Sequence, residues 1–175
     1  MKEYSITKLP DYDLELIKSL YRVGIENAGR KSDTLGFLYS EILDKSMYNT
    51  NIVSSETFFC DMGNKKLLTL LHKYIQMNDE SEYISNVHHI KYIVGEGAKP
   101  HTDDSISDKS YILLLNDGFE GGEFYLDNKH IKFEKGDLLE FQGHLLHEVK
   151  EITKGYREVL VIFSKKKSKV KKTLL

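Results

Sequence analysis

The 175 residues, 40% apolar and 30% charged, suit one soluble globular domain with a buried core. A formal net charge of −2 hides an asymmetry, because six lysines crowd residues 164–172 and without them the remainder stands near −8. A single cysteine, Cys60, excludes an internal disulfide and suits a reducing, cytoplasmic setting. No apolar run approaches a membrane span, and the N-terminus lacks a signal-peptide pattern.

Helical signals come first. After Pro10, residues 11–28 carry Leu14, Ile17, Leu20, Tyr21 and Ile25 at helical spacing. A second helix is expected over 33–47, with Leu35, Leu38, Ile42 and Met47 on one side. A third begins at Asn64, a capping residue, and places Leu67, Leu68, Leu71, Tyr74 and Ile75 inward. A short strand is expected over 57–60. The acidic loop 78–82 then opens a run of strands: 84–94, 110–116, 123–126, 129–134, 137–141, 144–150 and 157–163. Helices followed by many short strands predict a mainly β sandwich buttressed by N-terminal helices, not alternating βαβ units. No repeat or linker breaks the chain. The expected organisation is therefore one domain over 1–164, with helical support over 1–83, a β core over 84–164 and a basic tail over 165–175.

Chemistry concentrates in His101-Thr102-Asp103, then His147, then Arg157. Side chains two apart in a strand share a face, so His101 and Asp103 converge while Thr102 and Asp104 point away. His147 follows the strand 137–141 and a glycine-containing turn, which suits delivery from a neighbouring strand. Two imidazoles and a carboxylate on one face of an iron(II) ion leave positions open for a cosubstrate and dioxygen. Manganese, cobalt, nickel or zinc would also be accepted. Arg157 supplies a permanently charged fork for a second carboxylate, such as the far end of 2-oxoglutarate. Turn chemistry at Thr153-Lys154-Gly155 predicts a hairpin that pairs Arg157 with Val149 and puts Arg157 on the His147 face. Val159, Val161 and Phe163 would continue that face as a dry wall.

From Tyr92 to Phe163 the chain resembles the prolyl-4-hydroxylase-like family of iron(II)- and 2-oxoglutarate-dependent oxygenases. The resemblance rests on Tyr92-x-x-Gly95, Pro100-His101-Thr102-Asp103, Leu113-Leu114-Leu115-Asn116, Gly121-Gly122-Glu123-Phe124, Lys135-Gly136-Asp137, His147-Glu148-Val149 and Gly155-x-Arg157, in that order. It implies a double-stranded β-helix (jelly roll) with helices packed on one side. It also implies hydroxylation of an unactivated C–H bond coupled to conversion of 2-oxoglutarate and O2 to succinate and CO2, with ascorbate a candidate reductant. By the same resemblance Tyr92 lines the pocket and donates to the far carboxylate. Many relatives place a tyrosine or threonine on the strand after His-x-Asp, where only Ser110 is polar here. Several use lysine at the position of Arg157. Nucleic-acid demethylases of the superfamily usually carry a second arginine, and none follows Arg157.

Other features read as structural. His144 belongs to a loop, His88-His89 to a strand with one ring inward, and Gly121-Gly122 to a hairpin turn. The polar segments 78–83 and 104–109 are expected to rim the site. The favoured substrate is a prolyl residue of a peptide or protein. The alternatives are a nucleobase or free small molecule, with the basic tail contacting nucleic acid, or a non-catalytic cupin-like binding module.

Overall fold

The computed structural model describes residues 3–28, 52–54, 56–75, 77 and 80–167. The helix expected over 33–47, the tip of the 78–82 loop and the end of the lysine tail lie outside these residues. Two helices are described, α1 (Asp11–Ala28) and α2 (Lys65–His72). The strands, in chain order, are β1 (Tyr4–Lys8), β2 (Ile52–Val53), β3 (Glu56–Phe59), β4 (Glu82–Ile93), β5 (Gly97–His101), β6 (Lys109–Leu114) and β7 (Glu120–Gly121). They continue as β8 (Phe124–Leu126), β9 (Lys129–Ile131), β10 (Asp137–Gln142), β11 (His147–Val149), β12 (Ile152–Lys154) and β13 (Tyr156–Lys166).

A six-stranded sheet, β1-β10-β6-β13-β4-β3, faces a five-stranded sheet, β2-β5-β11-β8-β9, and β12 pairs with β7 at one end. All these ladders are antiparallel. The central strands β6 and β13 of the large sheet are buried on both faces, and period-two alternation sorts their side chains between two cores. Tyr111, Leu113, Leu160 and Ile162 join Leu14, Ile17, Tyr21, Leu67 and Leu71 beneath the helices. Ile112, Leu114, Val159, Ile90 and Tyr92 join Phe124, Leu126, Phe141 and Val149 between the sheets. This explains the unbroken apolar run over 111–115, which a half-exposed strand would not show. Asn64 caps α2 by accepting from Leu67 N at 3.1 Å. The helices are tied together through Asp13, which accepts from Lys73 Nζ at 2.6 Å and from the Tyr74 hydroxyl.

Three sequence expectations are corrected. Arg157 does not pair with Val149: β12 turns away to pair with β7, and Arg157 sits opposite Tyr92 in the β13–β4 ladder. Gly121 and Gly122 do have positive φ, but the β8–β9 hairpin turns at Asp127 and Asn128 instead, with φ 46 and 63. The two glycines form a corner where a Cβ on Gly122 would lie 2.5 Å from Ile152 Cδ1 and 3.1 Å from Arg157 Cδ. Finally, β13 runs into the lysine-rich stretch, bringing Lys166 Nζ to 3.5 Å from the Glu82 carboxylate. Strands β1, β2, β7 and β12 were not expected from the sequence, and β5 ends at His101, two residues short of Asp103, which was expected to share its strand.

Candidate metal centre and anion pocket

His101 ends β5 and His147 begins β11, and the ladder pairs the two directly. Their rings lie 4.3 Å apart, centroid to centroid. Asp103 is not in a strand: two residues past β5 it occupies a tight turn, where its N–H donates to Gly143 O at 2.7 Å. Its own carbonyl accepts from Ile106 and Ser107 N–H, both at 2.8 Å. The turn, not strand alternation, brings its carboxylate back to the histidines. Asp103 Oδ2 lies 3.4 Å from His147 Nε2, and Oδ1 lies 3.8 Å from His101 Nε2. One ligand atom from each of the three residues falls within 4.8 Å of the others. All three side chains are at most 9% exposed.

The histidine hydrogen bonds bear on what this cluster can hold. His101 Nδ1 faces Lys99 O at 2.6 Å and His147 Nδ1 faces Leu145 O at 3.0 Å. Since a carbonyl only accepts, each Nδ1 carries the proton and each Nε2 lone pair is left for a ligand. Burial holds the His147 imidazole below its ordinary pKa, opposed by the Asp103 carboxylate, which favours the neutral form a metal requires. Phe141 meets that ring edge-on at 4.8 Å and Phe124 lies 5.9 Å away, so the pocket is walled by aromatic carbon. This donor set fits a divalent transition metal.

Arg157 is 2% exposed, among the largest fully buried side chains. Its guanidinium lies 5.9 Å from the Tyr92 ring and 5.8 Å from the Phe133 ring, and Nη2 has no hydrogen-bond partner among the described residues. No carboxylate among the described residues pairs with it. Burial pushes Arg157 down to about 10 and pushes the Tyr92 phenol up to about 12. A cavity of about 230 Å³ opens beside it, lined also by Gly122, Phe124, Phe133, Leu114 and Phe119. A buried cation with an idle donor is costly unless an anion completes it. Phe124 connects the two features, since it lines this cavity and packs against His147.

The remaining sequence candidates fall elsewhere. His144 is exposed in a turn. His89 lies on the helix side, its Nε2 2.8 Å from Glu158 Oε1, to which the Tyr21 hydroxyl also donates. His88 packs against Phe163, and burial pushes it down to about 3. Ser110 is wholly buried and donates to Asp103 Oδ2 at 2.7 Å, so its hydroxyl proton is engaged at the His101–Asp103–His147 cluster. Of the 104–109 rim Asp104, Ser105 and Asp108 are exposed and Ile106 is half-buried, whereas Ser107 and Lys109 are buried. Gly143 had no signal beyond being a glycine, yet a Cβ there would lie 2.3 Å from Ser107 O. Gly143→Ala should therefore displace the turn holding Asp103, cost about 1–3 kcal/mol in denaturant unfolding and weaken manganese binding. Wild-type values for both would refute this packing account.

No family model matches the chain. A PKHD-type hydroxylase of Idiomarina loihiensis is 33% identical over 41% of this chain and 38% of its own length, so the match spans well under half of that relative. The viral collagen prolyl hydroxylase of Paramecium Bursaria Chlorella virus-1, solved with 2-oxoglutarate, superposes with a TM-score of 0.59 at 16% identity, covering 93% of this chain and 96% of that one. A Trichoplax adhaerens prolyl hydroxylase, solved with a hypoxia-inducible-factor peptide, gives 0.58 at 15% identity, covering 93% and 83%. The antiparallel sandwich with its packed helices is thus the double-stranded β-helix of the 2-oxoglutarate and iron(II) oxygenases, prolyl hydroxylases among them, to which this chain is similar.

Proposed function

We propose that the chain is an iron(II)- and 2-oxoglutarate-dependent dioxygenase that hydroxylates a prolyl residue of a peptide or protein. The observation that carries this reading is the pairing of two His Nε2 lone pairs with one buried carboxylate, beside a buried arginine with an idle donor. His101, Asp103 and His147 would hold the metal, and Arg157 with Tyr92 would receive the far carboxylate of the cosubstrate. Iron(II) held there would activate O2, the oxidant, one of whose oxygen atoms ends in succinate as 2-oxoglutarate loses CO2 and the other in the new hydroxyl of the C–H bond. The chain's own residues do the rest. Lys99 and Leu145 carbonyls fix the histidine tautomers, Arg157 neutralises the diacid, and Phe124, Phe133 and Phe141 keep water from the reacting atoms.

The prolyl assignment draws on the named relatives, which include prolyl hydroxylases solved with a peptide and with 2-oxoglutarate. The acidic body agrees, since it repels a phosphate backbone and tolerates neutral or basic peptides. No described helix is long and apolar enough to cross a membrane. Cys60 is buried and free, and ferrous iron is retained best in a reducing compartment such as the cytoplasm.

The test is succinate release from 2-oxoglutarate with iron(II) and ascorbate, in the presence of proline-containing peptides or of oligonucleotides. Peptide-stimulated succinate with a 16 Da mass gain on proline is expected. Removing residues 168–175, which follow the last described position, should leave peptide turnover intact. Turnover of oligonucleotides alone, lost on removing that tail and flattened in its salt dependence, would replace the prolyl reading with a nucleic-acid one.

A further inference from the structure

We propose that Ser110 is a positioning residue: its hydroxyl fixes the rotation of the Asp103 carboxylate and thereby sets the affinity of the metal centre. The inference rests on the metal-site reading above and deepens it. Ser110 lies on β6, where alternation directs residues 110, 112 and 114 toward the inter-sheet core. Ile112 and Leu114 are apolar there and Ser110 is not. Its cross-strand neighbours are Phe141 and Phe163, its exposure is 0%, and its hydroxyl donates to Asp103 Oδ2 at 2.7 Å. A hydroxyl at so apolar a position needs a partner, and the carboxylate is the partner it has.

The geometry also shows what the bond does. Asp103 has no lysine or arginine within ion-pair distance among the described residues, and no other side chain there donates to its carboxylate. Backbone bonds hold its N–H and C=O in the turn but leave the carboxylate free to rotate about χ2. One charge-assisted hydrogen bond from a fixed strand removes that freedom and occupies a lone pair of Oδ2. The carboxylate is thereby held ready to bind metal, before metal arrives. Partners of this kind typically change metal affinity by about 10- to 100-fold.

The metal-free protein is titrated with manganese(II), following loss of the free-ion EPR signal, and its unfolding is measured in parallel. Wild type should bind one ion and Asp103→Ala none. Ser110→Ala should bind about 10- to 100-fold more weakly. Ser110→Thr, which keeps the hydroxyl, should bind more tightly than Ser110→Ala. Ser110→Cys, of similar shape but a poor donor, should resemble Ser110→Ala and stands in for it if that variant fails to fold. Wild-type affinity in Ser110→Ala or Ser110→Cys, whether or not unfolding shifts, overturns the proposal and leaves the metal site standing. Equal behaviour of wild type and Asp103→Ala overturns the metal site itself, and Ser110's role with it.

Discussion

Asp103→Ala should abolish both metal binding and turnover while leaving the fold intact. The carboxylate supplies the negative charge in a cluster whose other two donors are neutral imidazoles, each with Nδ1 tied to a carbonyl. Without it a divalent ion would meet two nitrogens and a wall of phenylalanine, a poor exchange for its water shell. Asp103→Glu keeps the charge but adds a methylene, so the carboxylate leaves both the Ser110 hydroxyl and the position set by the turn. Misplacement on the scale of an ångström costs on the order of a hundredfold in rate. Turnover should fall about that far, with metal still detectable. His101→Ala should behave like Asp103→Ala, because the direct pairing of His101 with His147 makes the two rings one unit. Metal binding with full activity in His101→Ala would sink the assignment. Iron uptake and succinate release, measured side by side, separate loss of metal from loss of chemistry.

Much of this site was legible because its chemistry is carried by residue types that are rarely buried without cause. The order of His101, Asp103, His147 and Arg157 identified candidates before any geometry, and the geometry brings the first three into one cluster. What periodicity could not supply was the path of the chain between them. Strand alternation pointed to Asp103, but the turn held by Gly143 is what returns its side chain. The predicted 149–157 hairpin failed because Glu151 to Lys154 turn aside into a separate ladder with the glycine corner. Its Thr-Lys-Gly signal marks a real turn, with Gly155 at φ 73, but one that leads from β12 into β13. The long strands were readable where burial on both faces demands continuous apolar runs. Two- and three-residue strands such as β2, β7 and β12 depend on register with distant partners, which no local pattern encodes.

Arg157→Leu is expected to weaken 2-oxoglutarate binding by a hundredfold or more while leaving the cosubstrate-free protein no less stable. The two effects have one cause. The guanidinium lies beside the Tyr92 and Phe133 rings with Nη2 unbonded among the described residues, an arrangement that burial disfavours, as its lowered pKa indicates. Leucine fills part of that space without a charge, and replacing buried charges by apolar side chains is often neutral or stabilising. With the diacid present the balance reverses, because a carboxylate entering the pocket would meet no compensating cation. Leaving one member of a buried ion pair alone costs about 3–5 kcal/mol, which is at least a hundredfold in affinity. Arg157→Lys should fall between, since the ammonium keeps the charge but loses the two-pronged geometry. Titrating 2-oxoglutarate into the manganese-loaded proteins while recording melting temperature reads both quantities at once. Wild type should gain stability with ligand, in proportion to the logarithm of its concentration over Kd. Arg157→Leu should start at or above the wild-type melting temperature and barely respond. An unchanged ligand response would remove Arg157 from the cosubstrate site. A large drop in ligand-free stability would instead mean that the buried charge has a partner the cavity does not explain.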